Sequence, residues 1–119
     1  MEISKNKSTS YVLMKIDLIK KLFLILMIKN FYTSALAEDK MTLGLEVYNN
    51  KAACGTCHTM KAAGSDANIG PNLDQLKPTL ERIVNVVNNG IGVMPPWEGI
   101  LTVEEIDAVA HYVFSSTNK

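Results

Sequence analysis

Cys54-Gly55-Thr56-Cys57-His58 decides how the rest of the chain is read. These two cysteines are the only ones in the 119 residues, and a histidine follows the second directly. C-x-x-C-H is the attachment signature of a c-type haem. Each thiol can form a thioether to a haem vinyl group, and the adjacent imidazole then lies beneath the iron as an axial ligand. The spacing predicts one haem c per chain, covalently held by Cys54 and Cys57, with His58 on the metal. The implied chemistry is electron transfer, which needs no substrate pocket.

Haem of this kind is attached on the outer side of the bacterial inner membrane, so the chain should carry an export address. Lys15, Lys20 and Lys21 form a positive region, Leu22-Phe23-Leu24-Ile25-Leu26-Met27-Ile28 is an apolar run, and Ala35-Leu36-Ala37 is followed by Glu38-Asp39. Together they read as a secretory signal peptide with an A-x-A cleavage site. Residues 1–37 are therefore expected to be the leader, and 38–119 the haem-binding domain, delivered to the periplasm. Met1 to Leu13 is polar and long for the start of a leader, so Met14 is a candidate start. Lys29 interrupts the apolar stretch. An uncleaved anchor is the competing reading, but a spanning helix needs roughly 20 apolar residues. No stable membrane insertion is expected after cleavage.

The whole chain has no net charge, with 12 basic and 12 acidic residues. Residues 1–37 hold six of the basic and two of the acidic ones, so 38–119 carries a formal charge of −4. That excludes a basic footprint for nucleic acid. A partner that docks electrostatically would present a basic surface. At 82 residues the domain has a thin core, and chains of this size often need a staple. A covalent haem would be that staple.

The fold class expected is all-α. Met41, Leu45, Tyr48 and Ala52 recur at helical spacing and predict a helix over 41–51, with Asp39 or Thr42 as N-cap. Strand alternation is absent. Residues 64–78 are rich in Gly, Asn, Asp, Ser and Pro and read as a loop, with room for a short helical turn at 72–76. Leu80, Ile83, Val84 and Val87 predict a second buried face on a helix starting at Thr79 and stopping at Asn88-Asn89-Gly90. Thr102-Val103-Glu104-Glu105 is a capping box for a last helix to about Phe114. On that helix Val109, Tyr112 and Val113 share one side; Glu104, Asp107 and His111 share the other.

A six-coordinate haem needs a second axial ligand, usually His or Met. His111 falls on the polar side, four residues after Asp107, where it can pair with that carboxylate. Met60 is two residues past His58 and cannot reach the opposite haem face, and Met41 suits core filling. Met94, in Gly92-Val93-Met94-Pro95-Pro96-Trp97, is the candidate. Two prolines stiffen its loop, and thioether ligation raises the potential. Trp97 has two open readings: a neighbour of the haem with its N–H on a propionate, or an ordinary packed indole.

With these residues in view, the chain resembles the class I c-type cytochromes over nearly all of 41–116. Gly44 and Tyr48 match that family's Gly-x-x-x-aromatic, and Tyr112 in Ala110-His111-Tyr112-Val113 matches its partner on the last helix. Gly70-Pro71-Asn72-Leu73 is similar to the G-P-x-L loop, and Gly90-Ile91-Gly92-Val93-Met94-Pro95 to the distal methionine loop. The resemblance implies three to four helices and loops wrapped around one covalent haem. It implies that the first and last helices cross at the glycine, and that the Pro71 carbonyl orients His58. Cys57-His58-Thr59-Met60-Lys61-Ala62-Ala63-Gly64 and Met94-Pro95-Pro96-Trp97 most resemble bacterial periplasmic monohaem cytochromes. Some of these are partners or subunits of dehydrogenases, including sulfite dehydrogenases. The partners implied are a dehydrogenase donor and a respiratory acceptor, an oxidase or another cytochrome. The job is either that of a free carrier or that of a tight haem subunit, and in neither case that of an enzyme.

Three rivals compete. A thiol–disulfide protein would use Cys54 and Cys57 in a strand–helix–strand setting. A zinc site would want four ligands, and Cys54, Cys57, His58 and His111 exhaust the supply. A gas sensor or peroxidase-like site would keep an open distal face, which Met94 argues against. With Cys54→Ala and Cys57→Ala together, residues 38–119 are expected to be poorly folded. Far-UV circular dichroism should then show no cooperative thermal transition, whereas a native-like transition would show that the polypeptide closes its own core.

Overall fold

The computed structural model describes residues 4–119, with side chains described for 9–29 and 38–119. Two compact units divide between Leu36 and Ala37. The first is part of the long helix α1 (Ser4–Glu46). The described apolar side chains Leu22 to Ile28 are 44–61% exposed. Among the described residues, no helix is long and apolar enough to cross a membrane. Met1 to Ile3 and the side chains of the expected cleavage site, Ala35, Leu36 and Ala37, lie outside the described residues.

In the second unit the end of α1 runs into a π-helical turn, Val47–Lys51, closed by Ala52 N–H on the Val47 carbonyl at 2.9 Å. Such wide turns are rare and often lie at functional sites. Short strands β1 (Thr59–Met60) and β2 (Ser65–Asp66) pair antiparallel, Thr59 opposite Asp66. Helices α2 (Leu73–Leu76), α3 (Leu80–Asn89) and α4 (Val103–Thr117) follow. Each begins on an Asn or Thr whose side chain accepts from the N–H three residues on: Asn72, Thr79 and Thr102. Thr102 and Glu105 complete the expected capping box. The mostly helical architecture expected from the sequence is present.

The core lies where the π turn that continues α1 packs with α3 and α4. Val47, Tyr48, Ile83, Val87, Val109, Tyr112 and Val113 form one buried cluster, joined by Met60 from β1. Burying side chains such as these stabilises by about 1.5–3 kcal/mol each. The crossing of α1 and α4 is set by Gly44. A Cβ there would sit 2.5 Å from Tyr112 Cβ and closer still to the Ala108 carbonyl. Tyr48 and Tyr112 then meet edge to face, centroids 6.0 Å apart. Lys40 pairs with Asp107 at 2.6 Å, and Lys51 with Glu105, on the exposed side of the same contact.

Several expectations are corrected. The helix does not start near Met41, because α1 already runs through it. Thr42 is no cap: its hydroxyl donates to the Glu38 carbonyl within the helix at 2.9 Å. Leu45 is 37% exposed, and Val47 takes its place inside. The sequence points to the most apolar stripe, but the glycine contact turns the helix to bury 44, 47 and 48 instead. Asp107 pairs with Lys40, leaving no such role for His111. The loop at 64–78 contributes β2, too short for alternation to register.

Gly44→Ala tests the crossing. Alanine would favour the helix by up to about 1 kcal/mol, yet the clash should reverse the sign and cost about 1–3 kcal/mol net. Guanidinium unfolding of the haem-loaded protein reads this; unchanged or raised stability would mean that parting the helices costs no more than alanine's helix preference returns.

Candidate functional site

Ala53, just past the π turn, takes a left-handed conformation (φ 46°), a strained choice for a residue with a side chain. It starts a 3₁₀ turn over Cys54–Thr56, and Thr56 secures it by donating its hydroxyl to the Ala53 carbonyl at 2.8 Å. Both Cys57 and His58 donate their N–H to the Cys54 carbonyl, at 3.1 and 3.0 Å. This tight turn points Cys54, Cys57 and His58 into one cavity. At Gly55 the space is tight, since a Cβ would approach Ser65 Cβ to 3.0 Å.

The Gly70-Pro71 loop covers the back of the histidine. Gly70 N–H donates to the Cys57 carbonyl at 2.7 Å, and a Cβ on Gly70 would lie 2.5 Å from the imidazole. His58 Nδ1 is 2.9 Å from the Pro71 carbonyl. A carbonyl only accepts, so Nδ1 carries the proton and Nε2 is the nitrogen with a free lone pair. That is the tautomer a metal ligand needs, oriented from behind.

Across the cavity, Gly90 ends α3 with φ 70° and ψ 172°, a conformation reserved for glycine. Its Cβ would meet the Met94 carbonyl at 2.6 Å. Ile91 and Met94 exchange both backbone hydrogen bonds at 3.0 Å, with Gly92 in the turn at φ 57°. Trp97 N–H then closes back on the Val87 carbonyl at 2.9 Å. The result is a pinned loop that holds Met94 half-buried against the same cavity.

The cavity measures about 400 Å³, within the usual range of about 300–1,000 Å³ for cofactor sites. Cys54, Cys57, His58, Pro71, Met94 and Trp97 all line it. Apolar walls come from Ile83 and Val87 on α3 and from Val109 and Val113 on α4. Two thiols, an imidazole and a thioether around an apolar slot suit a haem. Met60 is fully buried in the core; neither it nor Met41 or His111 lines the cavity. Tyr48, legible in the sequence only as a helix-crossing residue, lines the cavity too, as does Arg82, which the sequence did not single out. Arg82 is the chain's only arginine, beside the buried Ile83, and that adjacency was its one signal.

No disulfide joins Cys54 and Cys57. Burial pushes the Cys54 thiol up to about 11, the reverse of what an attacking thiolate needs. No strand–helix–strand unit surrounds them among the described residues. Nor do those residues gather three or more His, Cys, Asp or Glu side chains around a point that could hold a zinc ion.

Tyr48 packs against this turn with its hydroxyl 3.2 Å from Ser65 Oγ. Burial pushes it up to about 12, although the bond to Ser65 works the other way. A phenol raised in the folded state stabilises fully below its ordinary value of 10. That contribution disappears as pH rises through about 12. Tyr48→Phe should cost about 0.5–1.5 kcal/mol near pH 8 for the lost hydrogen bond. It should also lose less stability than the wild type on going to high alkaline pH. Denaturant midpoints across that range check this; parallel losses in both proteins would remove Tyr48 as the titrating group.

Comparison with known proteins agrees with this geometry. Residues 39–113 match the family profile described as "Cytochrome C oxidase, cbb3-type, subunit III". The chloroplastic cytochrome c6 of Chlamydomonas reinhardtii is 37% identical over 91 residues, 68% of this chain but only 57% of that protein. Cytochrome c6 of Chlorolobion braunii is 33% identical over 87 residues, 65% of this chain and 91% of the relative. The crystal structure of the c-type cytochrome SorU from Sinorhizobium meliloti superposes with a TM-score of 0.64 at 48% identity. It covers 69% of this chain and 95% of that one.

Proposed function

Because the chain belongs to the class I monohaem c-type cytochromes, electron carriers with one covalent haem c, we propose that it carries single electrons in the periplasm from a dehydrogenase to a respiratory acceptor. In this reading Cys54 and Cys57 hold the haem through thioethers, and His58 and Met94 occupy the two axial positions. The observation that carries it is the convergence of the C-x-x-C-H turn and the Met94 loop on one apolar cavity. When bound, the haem supplies the one-electron iron couple.

The chain's own residues set the conditions. The Pro71 carbonyl holds the His58 proton on Nδ1 at 2.9 Å and strengthens the imidazole as a donor. The 91–94 turn fixes Met94 so that a thioether, which favours ferrous iron, is available without loop ordering. Ile83, Val87, Val109 and Val113 exclude water from the slot. Trp97 lines the same cavity, its backbone fixed on α3. Redox partners of such carriers meet them through small, short-lived interfaces.

The finer assignments follow from the sequence. The leader pattern in 1–37 supports export and cleavage. The periplasmic resemblance, with 48% identity to a bacterial c-type cytochrome, supports a dehydrogenase donor, with a sulfite dehydrogenase as the specific candidate. The match to a subunit of a cbb3-type oxidase supports a respiratory acceptor, an oxidase or another cytochrome.

Met94→Ala is the test of the distal ligand. The variant should lose the weak near-infrared band from methionine to ferric iron. Its reduction equilibrium should move toward ferric by at least tenfold, about 59 mV for one electron. A retained band and an unchanged potential would assign the distal position elsewhere.

A further inference from the structure

The loop that orients His58 has little regular structure of its own, yet its carbonyl must meet the imidazole within a few tenths of an ångström. Pro71 contributes no N–H, and Ile69 and Pro71 line the cavity and lie outside the buried core cluster, so the protein's own core does not fix the loop. It is held instead by side chains at its two ends. At one end the Thr59 hydroxyl donates to the Ala67 carbonyl at 2.6 Å. At the other, the Asp74 carboxylate accepts the Lys61 N–H at 2.9 Å. Between them, Gly70 N–H reaches the Cys57 carbonyl at 2.7 Å. Thr59 and Lys61 belong to the segment directly after His58, so both clamps refer the loop to the histidine's own backbone. Asp74 also opens α2, where Asn72 caps by accepting from Gln75 N–H at 3.1 Å. A carboxylate on a backbone N–H is among the stronger hydrogen bonds, and its fixed length transmits position.

We infer that Asp74 and Thr59 are positioning residues that hold the Pro71 carbonyl on His58, and so tune the potential of the bound haem without touching it. The inference rests on the proposed ligation by His58. A firm bond from Nδ1–H to Pro71 makes the imidazole a better donor and favours ferric iron; a loosened one favours ferrous iron. Loosening the loop should also let solvent reach the Nδ1 proton.

The test uses the haem-loaded chain with three substitutions: Asp74→Ala, Asp74→Asn and Thr59→Val. Asn keeps an acceptor oxygen but removes the charge, so the difference between the two Asp74 variants isolates position from electrostatics. Two quantities are read: the reduction potential, and the solvent exchange of the His58 Nδ1 proton by NMR. Relative to Asp74→Asn, Asp74→Ala should shift the reduction equilibrium about three- to tenfold toward ferrous iron and speed Nδ1 proton exchange at least tenfold, and Thr59→Val should shift both in the same direction relative to wild type. If Asp74→Ala and Asp74→Asn agree in both quantities, the clamp is refuted. If Asp74→Ala does not mature, Thr59→Val decides alone, and wild-type values there overturn the inference. A wild-type His58 without iron-shifted resonances would instead refute the ligation on which this rests.

Discussion

Residues 38–119 give core side chains of their helices over to the walls of a cavity of about 400 Å³. Small domains have little apolar area to spare. Here Ile83, Val87, Val109 and Val113 face a slot as well as one another. The architecture therefore depends on a cofactor as a structural part. Everything else arranges walls for it: α1 and α4 cross at Gly44 to make the frame, α3 leans on α4, and the two functional loops close the ends.

Backbone geometry does most of the work at those ends. Ala53, Gly70, Gly90 and Gly92 are the points where the chain turns or approaches too closely for an ordinary residue in an ordinary conformation. On the proximal side they bring a carbonyl to His58; on the distal side they hold Met94 against the same cavity. Preorganisation of the two proposed ligands suits electron transfer, where a change of iron charge should require little movement of the protein. The clamps at Thr59 and Asp74 extend the same principle by one layer.

The exposed ion pairs play a smaller part. Lys51 holds the Glu105 carboxyl below its usual range, and Lys40 pairs with Asp107. Such surface pairs are typically worth about 0–1 kcal/mol. Their value here is orientation, since Lys40 ties α1, and Lys51 the π turn after it, to α4. Neither was legible in the sequence, because Lys40 and Asp107 lie on different helices, and only the crossing brings them together.

What the sequence determined by itself is local chemistry. C-x-x-C-H requires its residues within one turn, the caps at Asn72, Thr79 and Thr102 act over three residues, and Gly90 stops the helix before it. Short-range rules of this kind can be read directly. Met94 was found by elimination and by its prolines, and Pro71 only through a family likeness. Tertiary structure alone decided the rest. It turned α1 so that Val47 rather than Leu45 is buried, inserted a π turn before Ala53, paired Thr59–Met60 with Ser65–Asp66, and placed Arg82 and Tyr48 on the cavity. The physical reason is common to all four: each follows from close approach between distant segments, where a missing Cβ or a single hydrogen bond outweighs the hydrophobic pattern.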